Sequence, residues 1–148
     1  FKFSWILRDK LAVGTFPRYQ EDISILREKK IKSILGLCNP TEASYPENLQ
    51  QFFNCYRYIL PDHKTDDLLQ PNDLLKARTI LDDLMKKGNV FVHCVASVER
   101  SPMVCMSWLM KYKNLSLNEA LDYMMSIHKE TNPLTSQLKV LTDPLLEN

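Results

Sequence analysis

The sequence predicts a single α/β domain with a central, mostly parallel, twisted sheet and helices on both of its faces. Short apolar segments of strand length alternate with longer segments of helical periodicity, and only helical segments follow the last strand. The segment 89–93 contains three successive apolar residues, Val90, Phe91 and Val92, which is typical of a strand buried on both faces of a parallel sheet. With 148 residues, 45% of them hydrophobic and 25% charged, the chain has the size and composition of one globular domain.

Five strands are predicted from β-branched and apolar runs that end at Gly, Pro or Asn-Pro. They span residues 3–6, 11–13, 31–38, 55–60 and 89–93. The first two are expected to pair at one edge of the sheet. Six helices are predicted from apolar residues at helical spacing, and they span residues 21–30, 46–53, 72–87, 102–113, 117–128 and 134–141. Ser116 and Glu119 form a capping box that opens the fifth of these helices.

The segment 93–101, His-Cys-Val-Ala-Ser-Val-Glu-Arg-Ser, constrains function more than any other. Cys94 and Arg100 are separated by five residues and lie between a predicted strand and a predicted helix. A loop of that length can turn its backbone N–H groups toward one anion, and the helix N-terminus adds partial positive charge there. The same field stabilises a thiolate, and the guanidinium fork can bind two phosphoryl oxygens. The segment therefore predicts a nucleophile in an anion-binding loop.

The pattern H-C-x5-R-S resembles the signature of the cysteine-dependent protein tyrosine phosphatases. The order of elements, an acidic loop about 30 residues before Cys94, and the N-P-x-x-x-Q-L segment 132–138 resemble the small dual-specificity phosphatases. The resemblance covers essentially the whole chain. It implies a dual-specificity phosphatase-like catalytic domain over residues 1–148, with no cofactor and no metal.

The reaction that this resemblance implies has two steps. Cys94 attacks phosphorus to form a phosphocysteine, Arg100 binds the phosphoryl oxygens, and water then hydrolyses the intermediate. The position of Asp62 matches the general acid and base of the family, and Asp66 and Asp67 lie close enough to be alternatives. The remaining interpretation for each of the three is a solvated carboxylate in a turn.

Three histidines and one serine need separate interpretations. His93 is expected to point away from the neighbouring thiol, because adjacent strand residues face opposite sides, and to be a buried residue that supports the loop by hydrogen bonding to backbone. Ser101 is expected to donate to the thiolate, and it could also cap the helix predicted from Pro102. His63 and His128 belong to no motif, so they are interpreted as ordinary loop and helix-end histidines.

One residue departs from the family pattern. Ser97 stands where the phosphatases usually carry glycine, and the three glycines of the chain all lie outside the loop. If the backbone needs a positive φ at this position, serine costs roughly 1 kcal/mol or more. This favours a second hypothesis, a weakly active or inactive phospho-binding module, beside the active phosphatase.

The substrate class is predicted from the residues between the nucleophile and the arginine. These residues include one acidic side chain and no basic side chain. These phosphate-loop residues are Val95, Ala96, Ser97, Val98 and Glu99, followed by Arg100 itself. A loop that binds polyphosphorylated lipids or RNA ends would be expected to carry additional basic side chains. Phosphotyrosine and phosphoserine/threonine in proteins are therefore the expected substrates. A phosphatase for a non-protein phosphate is the alternative.

The net charge and the number of cysteines limit which partners and which cellular location are expected. The net charge of +1 gives no field for nucleic acid or an acidic membrane surface, so a phosphoprotein is the expected partner and a monomer the expected state. Four cysteines without a C-x-x-C pair predict neither a zinc site nor a disulfide framework, and a cytoplasmic, also nuclear, location is expected. The chain does not begin with Met, which predicts that it is part of a longer protein.

The last expectation concerns oxidation. An exposed thiolate at position 94 would be oxidised by peroxide. The predicted strand 31–38 ends at Cys38, at the same rim of a parallel sheet as Cys94. Some relatives in the phosphatase superfamily use a cysteine at this strand end as a resolving thiol, so Cys38 is the first redox candidate and Cys105 the second. The other interpretation of Cys38 is a buried core cysteine without a redox role.

Overall fold

The structure, a computed structural model, describes residues 1–64 and 68–147 and contains a five-stranded sheet in the order β1-β2-β5-β3-β4. The strands are β1 (Phe3–Leu7), β2 (Leu11–Gly14), β3 (Ser33–Gly36), β4 (Asn54–Arg57) and β5 (Val90–His93). β1 pairs antiparallel with β2, and every other pairing is parallel. The predicted edge pair and the mostly parallel sheet are both confirmed.

The described helices match the six predicted segments to within a few residues. They are α1 (Gln20–Glu28), α2 (Leu49–Phe52), α3 (Pro71–Met85), α4 (Arg100–Tyr112), α5 (Leu117–Ile127) and α6 (Thr135–Val140), followed by a 3-10 turn at Pro144–Glu147. The Ser116 hydroxyl accepts from the Glu119 N–H, and the Glu119 carboxylate accepts in return, which confirms the capping box. Within the described residues, no helix is both long and apolar enough to span a membrane.

Alternation along the strands produces two hydrophobic cores, one on each face of the sheet. On one face, Ala12, Ile34 and Phe91 pack against α1 and α2. On the other face, residues of β2, β3 and β5 such as Val13, Leu35 and Val92 pack against the helices that follow β4. The predicted architecture, with helices on both faces, is confirmed.

The helix behind the loop starts earlier than the sequence predicts. It begins at Arg100 instead of Pro102, and Glu99 takes the N-cap position. Proline fits inside the first turn, where its missing N–H has no intrahelical partner. Ser101 is therefore a first-turn residue, and its interpretation as the helix cap is wrong.

The parallel register brings the functional loops to one edge of the sheet. Gly36 in β3 is opposite His93 in β5, so the segments that follow both strands leave the sheet side by side. A Cβ atom at Gly36 would lie 2.6 Å from the Tyr45 hydroxyl and 3.0 Å from His93 Nε2. Glycine is needed here because these two side chains meet directly above its backbone.

Candidate active site

Cys94 follows β5 directly and lies at the floor of a cleft at the carboxyl edge of the sheet. Its Sγ is 3.3 Å from the Ser101 hydroxyl, which α4 presents from its first turn. The residue is only 3% exposed. The thiol is thus less exposed than the sequence predicts, because the loop folds around it.

The loop from Cys94 to Arg100 turns three of its carbonyl groups outward. The oxygens of Val95, Ser97 and Val98 accept hydrogen bonds from outside the loop, and the donors are, in the same order, Phe16 N, His128 Nε2 and Asn132 N. The N–H of a trans peptide points opposite to its carbonyl, and the described chain contains no cis peptide. The N–H groups of residues 96, 98 and 99 therefore face the interior of the loop, as anion binding requires.

Ser97 adopts the positive φ that the family's glycine would favour. Its φ is 59°, and the residue is fully buried. Its hydroxyl lies 2.9 Å from the Ser101 hydroxyl and 3.0 Å from His128 Nε2. The expected backbone cost is present, and a buried hydrogen-bond network accompanies it.

Arg100 is fixed by an acidic residue that the sequence analysis did not single out. Glu42 accepts from both terminal nitrogens of the guanidinium at 3.1 Å, and the Leu60 carbonyl accepts at 3.4 Å. Burial alone would lower the pKa of Arg100, but the hydrogen bond to Glu42 and the charges of Cys94, Glu42 and Asp62 raise it. The hydrogen bond from Arg100 in turn lowers the pKa of Glu42.

The predicted acid reaches the same cleft from the segment after β4. Asp62 Oδ2 lies 3.9 Å from Arg100 Nη2, and Asp62 Oδ1 lies 2.9 Å from His63 Nδ1. His63 also contacts the Glu99 carboxylate of the phosphate loop, so it joins the acid segment to that loop. The alternatives Asp66 and Asp67 lie outside the described residues.

The cleft has a volume of about 480 Å³ and combines three carboxylates with two cations. It is lined by Glu42, Asp62, His63, Lys64, Cys94, Val95, Ala96, Val98, Glu99 and Arg100. Among the described residues, one set has the donor atoms for a divalent metal: Asp62, His63 and Glu99 each offer a ligand atom within 4.8 Å of the others. These same atoms already pair with one another through His63.

His93 is buried and hydrogen-bonded to backbone, as predicted. Its ring stacks on Phe91 and is fully buried on the face opposite the thiol. Nδ1 lies 2.9 Å from the Cys94 carbonyl, which can only accept, so Nδ1 carries the proton and Nε2 accepts from the Tyr45 hydroxyl at 2.6 Å. Burial lowers the pKa of His93 to about 4 and keeps the ring neutral.

Both redox candidates are buried. Burial raises the pKa of the Cys38 thiol against the opposing charges of Arg57 and Arg100. Its Sγ lies 3.6 Å from Arg57 Nη1 and 3.9 Å from His93 Nδ1. Burial, and to a lesser extent the charge of Cys94, also raises the pKa of Cys105. Cys38 is at the rim predicted for it, and Arg57 is the cation that would favour its thiolate.

Two further residues contact the loop without having been predicted to do so. His128 is 1% exposed and bonds to Ser97, so its interpretation as an ordinary helix-end histidine is wrong. Gln137, from the N-P-x-x-x-Q-L segment, donates to Glu99 at 2.8 Å.

The sequence contained indications for two other residues of the site that were not predicted. Glu42 is an acidic residue that follows a strand at the functional edge of the sheet, and His63 is next to Asp62. The only indication for His128 was indirect: a buried hydroxyl at Ser97 would need a hydrogen-bond partner.

The description "dual specificity phosphatase, catalytic domain" belongs to the family model that matches residues 13–143, which include the whole cleft described above. The chain belongs to this family. Human dual specificity protein phosphatase 5 is 46% identical over 80 residues, 53% of this chain and 20% of that protein. An Arabidopsis thaliana protein, phosphatidylglycerophosphate phosphatase PTPMT2, is 23% identical over 147 residues, 96% of this chain and 63% of that protein.

Solved structures show the same fold. A crystal structure of Tk-PTP in its active form superposes with a TM-score of 0.81 at 22% identity and covers 98% of this chain and 95% of that one. The chain thus spans nearly the whole of the Tk-PTP chain in that structure. The chain spans 20% of the length of the human relative and 63% of the length of the plant relative.

Proposed function

We propose that this dual-specificity phosphatase-family domain hydrolyses phosphomonoesters in proteins, both phosphotyrosine and phosphoserine/threonine. The observation that carries the proposal is the arrangement around Cys94. Its sulfur lies at the base of a loop with inward N–H groups, 3.3 Å from a hydroxyl donor, in the cleft that also holds Arg100 and Asp62. These are a nucleophile, a phosphate-binding fork and an acid in one place.

The proposed reaction has two displacements. The Cys94 thiolate attacks phosphorus while Asp62 protonates the departing alkoxide or phenoxide, so the P–O bond breaks as the S–P bond forms. Asp62 then removes a proton from water, which attacks phosphorus, and the S–P electron pair returns to sulfur. Ser101 stabilises the thiolate that is released. Arg100 and the inward N–H groups bind the equatorial oxygens in both steps.

The charges of the cleft support a singly phosphorylated protein side chain as substrate. Glu42, Asp62 and Glu99 line it against Arg100 and Lys64. A substrate with several phosphates would bring further negative charge near the surplus carboxylate. Glu99 is held in place by Gln137 and His63, so the loop presents this acid as a fixed feature of its rim.

A non-protein phosphate is the second candidate. The plant relative is named as a phosphatidylglycerophosphate phosphatase and aligns over 96% of this chain. Lys64 lines the cleft beside His63 and is the cation available for a second phosphate or a headgroup. The third candidate, a phospho-binding module, draws on the positive φ of Ser97.

The test is turnover of p-nitrophenyl phosphate and of a substrate panel. Cys94→Ser and Arg100→Lys are each expected to lose activity by at least about a hundredfold, because a serine hydroxyl is far less ionised and a lysine cannot form the bidentate fork. Cys55→Ser is the matched control, since this half-buried cysteine lies in β4 outside the cleft lining. A Cys94→Ser variant that retains more than about a hundredth of the activity would exclude the nucleophile assignment.

The panel separates the candidates. Phosphotyrosyl and phosphothreonyl peptides are compared with phosphatidylglycerophosphate in detergent micelles and with glucose 6-phosphate. A higher kcat/KM on the peptides supports the proposal, and a higher value on the lipid or sugar phosphate overturns the substrate class. Binding of the phosphopeptides without turnover of any compound, in protein that melts cooperatively, would support the phospho-binding module.

A further inference from the structure

A chain of hydrogen-bonding side chains runs from Cys94 through the interior to the opposite side of the loop. Cys94 Sγ to Ser101 Oγ is 3.3 Å, Ser101 Oγ to Ser97 Oγ is 2.9 Å, and Ser97 Oγ to His128 Nε2 is 3.0 Å. On the far side of its ring, His128 Nδ1 lies 2.8 Å from the Ser4 hydroxyl in β1. The two inner serines and His128 are at most 1% exposed.

The direction of these hydrogen bonds follows from one carbonyl. His128 Nε2 lies 2.9 Å from the Ser97 carbonyl oxygen, which can only accept, so Nε2 must carry a proton. That N–H also faces the Ser97 hydroxyl oxygen, which leaves the Ser97 hydrogen free to point to Ser101. Ser101 is then an acceptor on that side and donates its own hydrogen to the Cys94 thiolate. This holds whether His128 is neutral or charged, because Nε2 is a donor in both forms.

We propose that Ser97 and His128 are positioning residues that hold the Ser101 hydroxyl in the orientation that stabilises the Cys94 thiolate. A hydroxyl can rotate, and the free energy of its hydrogen bond to sulfur depends on how much of the time it points there. Ser97 removes the competing orientation by donating to the Ser101 oxygen. Aligned hydrogen bonds also polarise one another in a buried site.

The positive φ of Ser97 acquires a role in this arrangement. Glycine would avoid the strain of a φ of 59° but carries no hydroxyl. The left-handed backbone sends the Ser97 carbonyl toward His128, so the same conformation that costs free energy supplies the contact that orients the network. Sequence reasoning interprets Ser97 as a defect, and the geometry points to a gain for the nucleophile.

The charged and titratable groups around the network are on several elements. His128 Nδ1 faces Glu130 at 3.6 Å, and Glu130 pairs with Lys2 of the N-terminal segment. The thiol end shares its cleft with charged and titratable side chains, which are Arg100, Lys64, His63, Glu42, Asp62 and Glu99. Two further thiols, Cys38 and Cys105, interact electrostatically with Cys94. The Ser97 substitutions below leave all of these groups unchanged, so a shift that they cause belongs to the hydroxyl network.

The test measures the nucleophile without any substrate, so it stands apart from the proposed function. The rate of iodoacetate alkylation at Cys94 is followed by mass spectrometry of its peptide from acidic to alkaline pH. Ser97→Ala is expected to move the midpoint of this profile up by about half a pH unit, a roughly threefold loss of thiolate below the midpoint. Ser97→Gly is expected to do the same while relieving the backbone strain. Ser33→Ala is the matched control, because the buried Ser33 hydroxyl has no hydrogen-bond partner among the described residues.

His128 is tested by a pair of substitutions. His128→Gln places an amide N–H near the position of Nε2 and is expected to keep the wild-type midpoint, whereas His128→Leu removes the donor and is expected to shift it as Ser97→Ala does. An unchanged midpoint in Ser97→Ala overturns the proposal. A shift in Ser97→Ala but not in Ser97→Gly overturns it as well, since backbone strain and not the hydroxyl would then be the cause. If no phosphomonoester is hydrolysed but the shifts appear, the network stands and the phosphatase proposal fails.

Discussion

Glu42 binds Arg100 through two parallel hydrogen bonds, Nη1 to Oε2 and Nη2 to Oε1, each 3.1 Å long. A guanidinium has five N–H groups, and the Leu60 carbonyl takes a third at 3.4 Å. Among the described residues, these hydrogen bonds leave two N–H groups of Arg100, which is the number that a bidentate phosphate contact needs. Glu42 therefore fixes the plane of the fork before any substrate arrives.

Glu42→Gln is expected to weaken this orientation, since a neutral amide keeps only one accepting oxygen. We expect kcat/KM for p-nitrophenyl phosphate to fall about tenfold and inhibition by inorganic phosphate to weaken in parallel. Glu47→Gln, an exposed glutamate of the same loop, is the control. Tighter phosphate inhibition and faster turnover would show instead that Glu42 competes with substrate for Arg100.

Asp62→Asn is expected to remove the proton donor for the leaving group. Its contacts to His63 at 2.9 Å and to Arg100 at 3.9 Å place it in the wall of the cleft that also holds Cys94. Turnover of alkyl phosphates should fall by about a hundredfold or more and that of p-nitrophenyl phosphate by less, because nitrophenolate needs little protonation. The wild-type pH profile of kcat should have an alkaline limb, where the protonated general acid is depleted, and the variant should lose that limb.

The same measurements on Asp66→Asn and Asp67→Asn complete this test. Both residues lie outside the described part of the chain, so their contribution is decided by kinetics alone. If either variant shows the loss on alkyl phosphates and the altered pH limb, while Asp62→Asn does not, Asp62 is not the acid.

His93 predicts how stability depends on pH. Its pKa is lowered by burial to about 4 from an ordinary value of 6.5. Above pH 6.5 the ring is neutral in both folded and unfolded states, so it contributes no pH dependence. Between pH 6.5 and pH 4, His93 is protonated in the unfolded chain but stays neutral in the folded one. As the pH is lowered through this range, the free energy of unfolding therefore falls by up to about 1.4 kcal/mol per pH unit.

Urea unfolding of wild type and of His93→Gln at a series of pH values checks this. The variant is expected to be less stable than wild type near pH 7.5, where packing and the bond to Tyr45 matter, and the difference should narrow as the pH falls. A difference that stays constant from pH 7.5 to pH 4.5 would show that His93 is not the group whose protonation destabilises the fold.

Local periodicity predicted the sheet and helices because each strand here is a short apolar run between turn residues. That Cys94 and Arg100 line one cleft also followed from sequence, since Cys94, the loop and Arg100 are contiguous. The ends of elements were less predictable: Pro102 marks a helix start in sequence, but the helix begins two residues earlier at Arg100 because proline fits in its first turn.

Contacts between distant segments account for the rest of the site. Glu42 lies 58 residues from Arg100, and His128 lies 31 residues from Ser97. Their side chains meet only because the parallel register and the course of α5 bring three loops to one edge of the sheet. A single sequence carries no record of such pairings, so a glutamate in a turn and a histidine at a helix end look ordinary until the backbone is known.

Oxidation tests the remaining pair, Cys38 and Cys94. Peroxide converts a thiolate to sulfenic acid, and a second thiol can then attack that sulfur, forming a disulfide and releasing water. Register places both residues just beyond paired positions of β3 and β5, and Arg57, 3.6 Å from Cys38 Sγ, favours the thiolate of a residue that burial otherwise holds protonated.

Mild peroxide should inactivate the enzyme reversibly, and peptide mapping should show a Cys38–Cys94 disulfide that Arg57→Met forms more slowly. Cys105→Ser is the control, because burial raises the pKa of Cys105 and no cation is among the groups that shift it. If Cys38→Ser recovers with thiol reductant as fully as wild type, Cys38 is a core cysteine and the recovery comes from sulfenic acid alone.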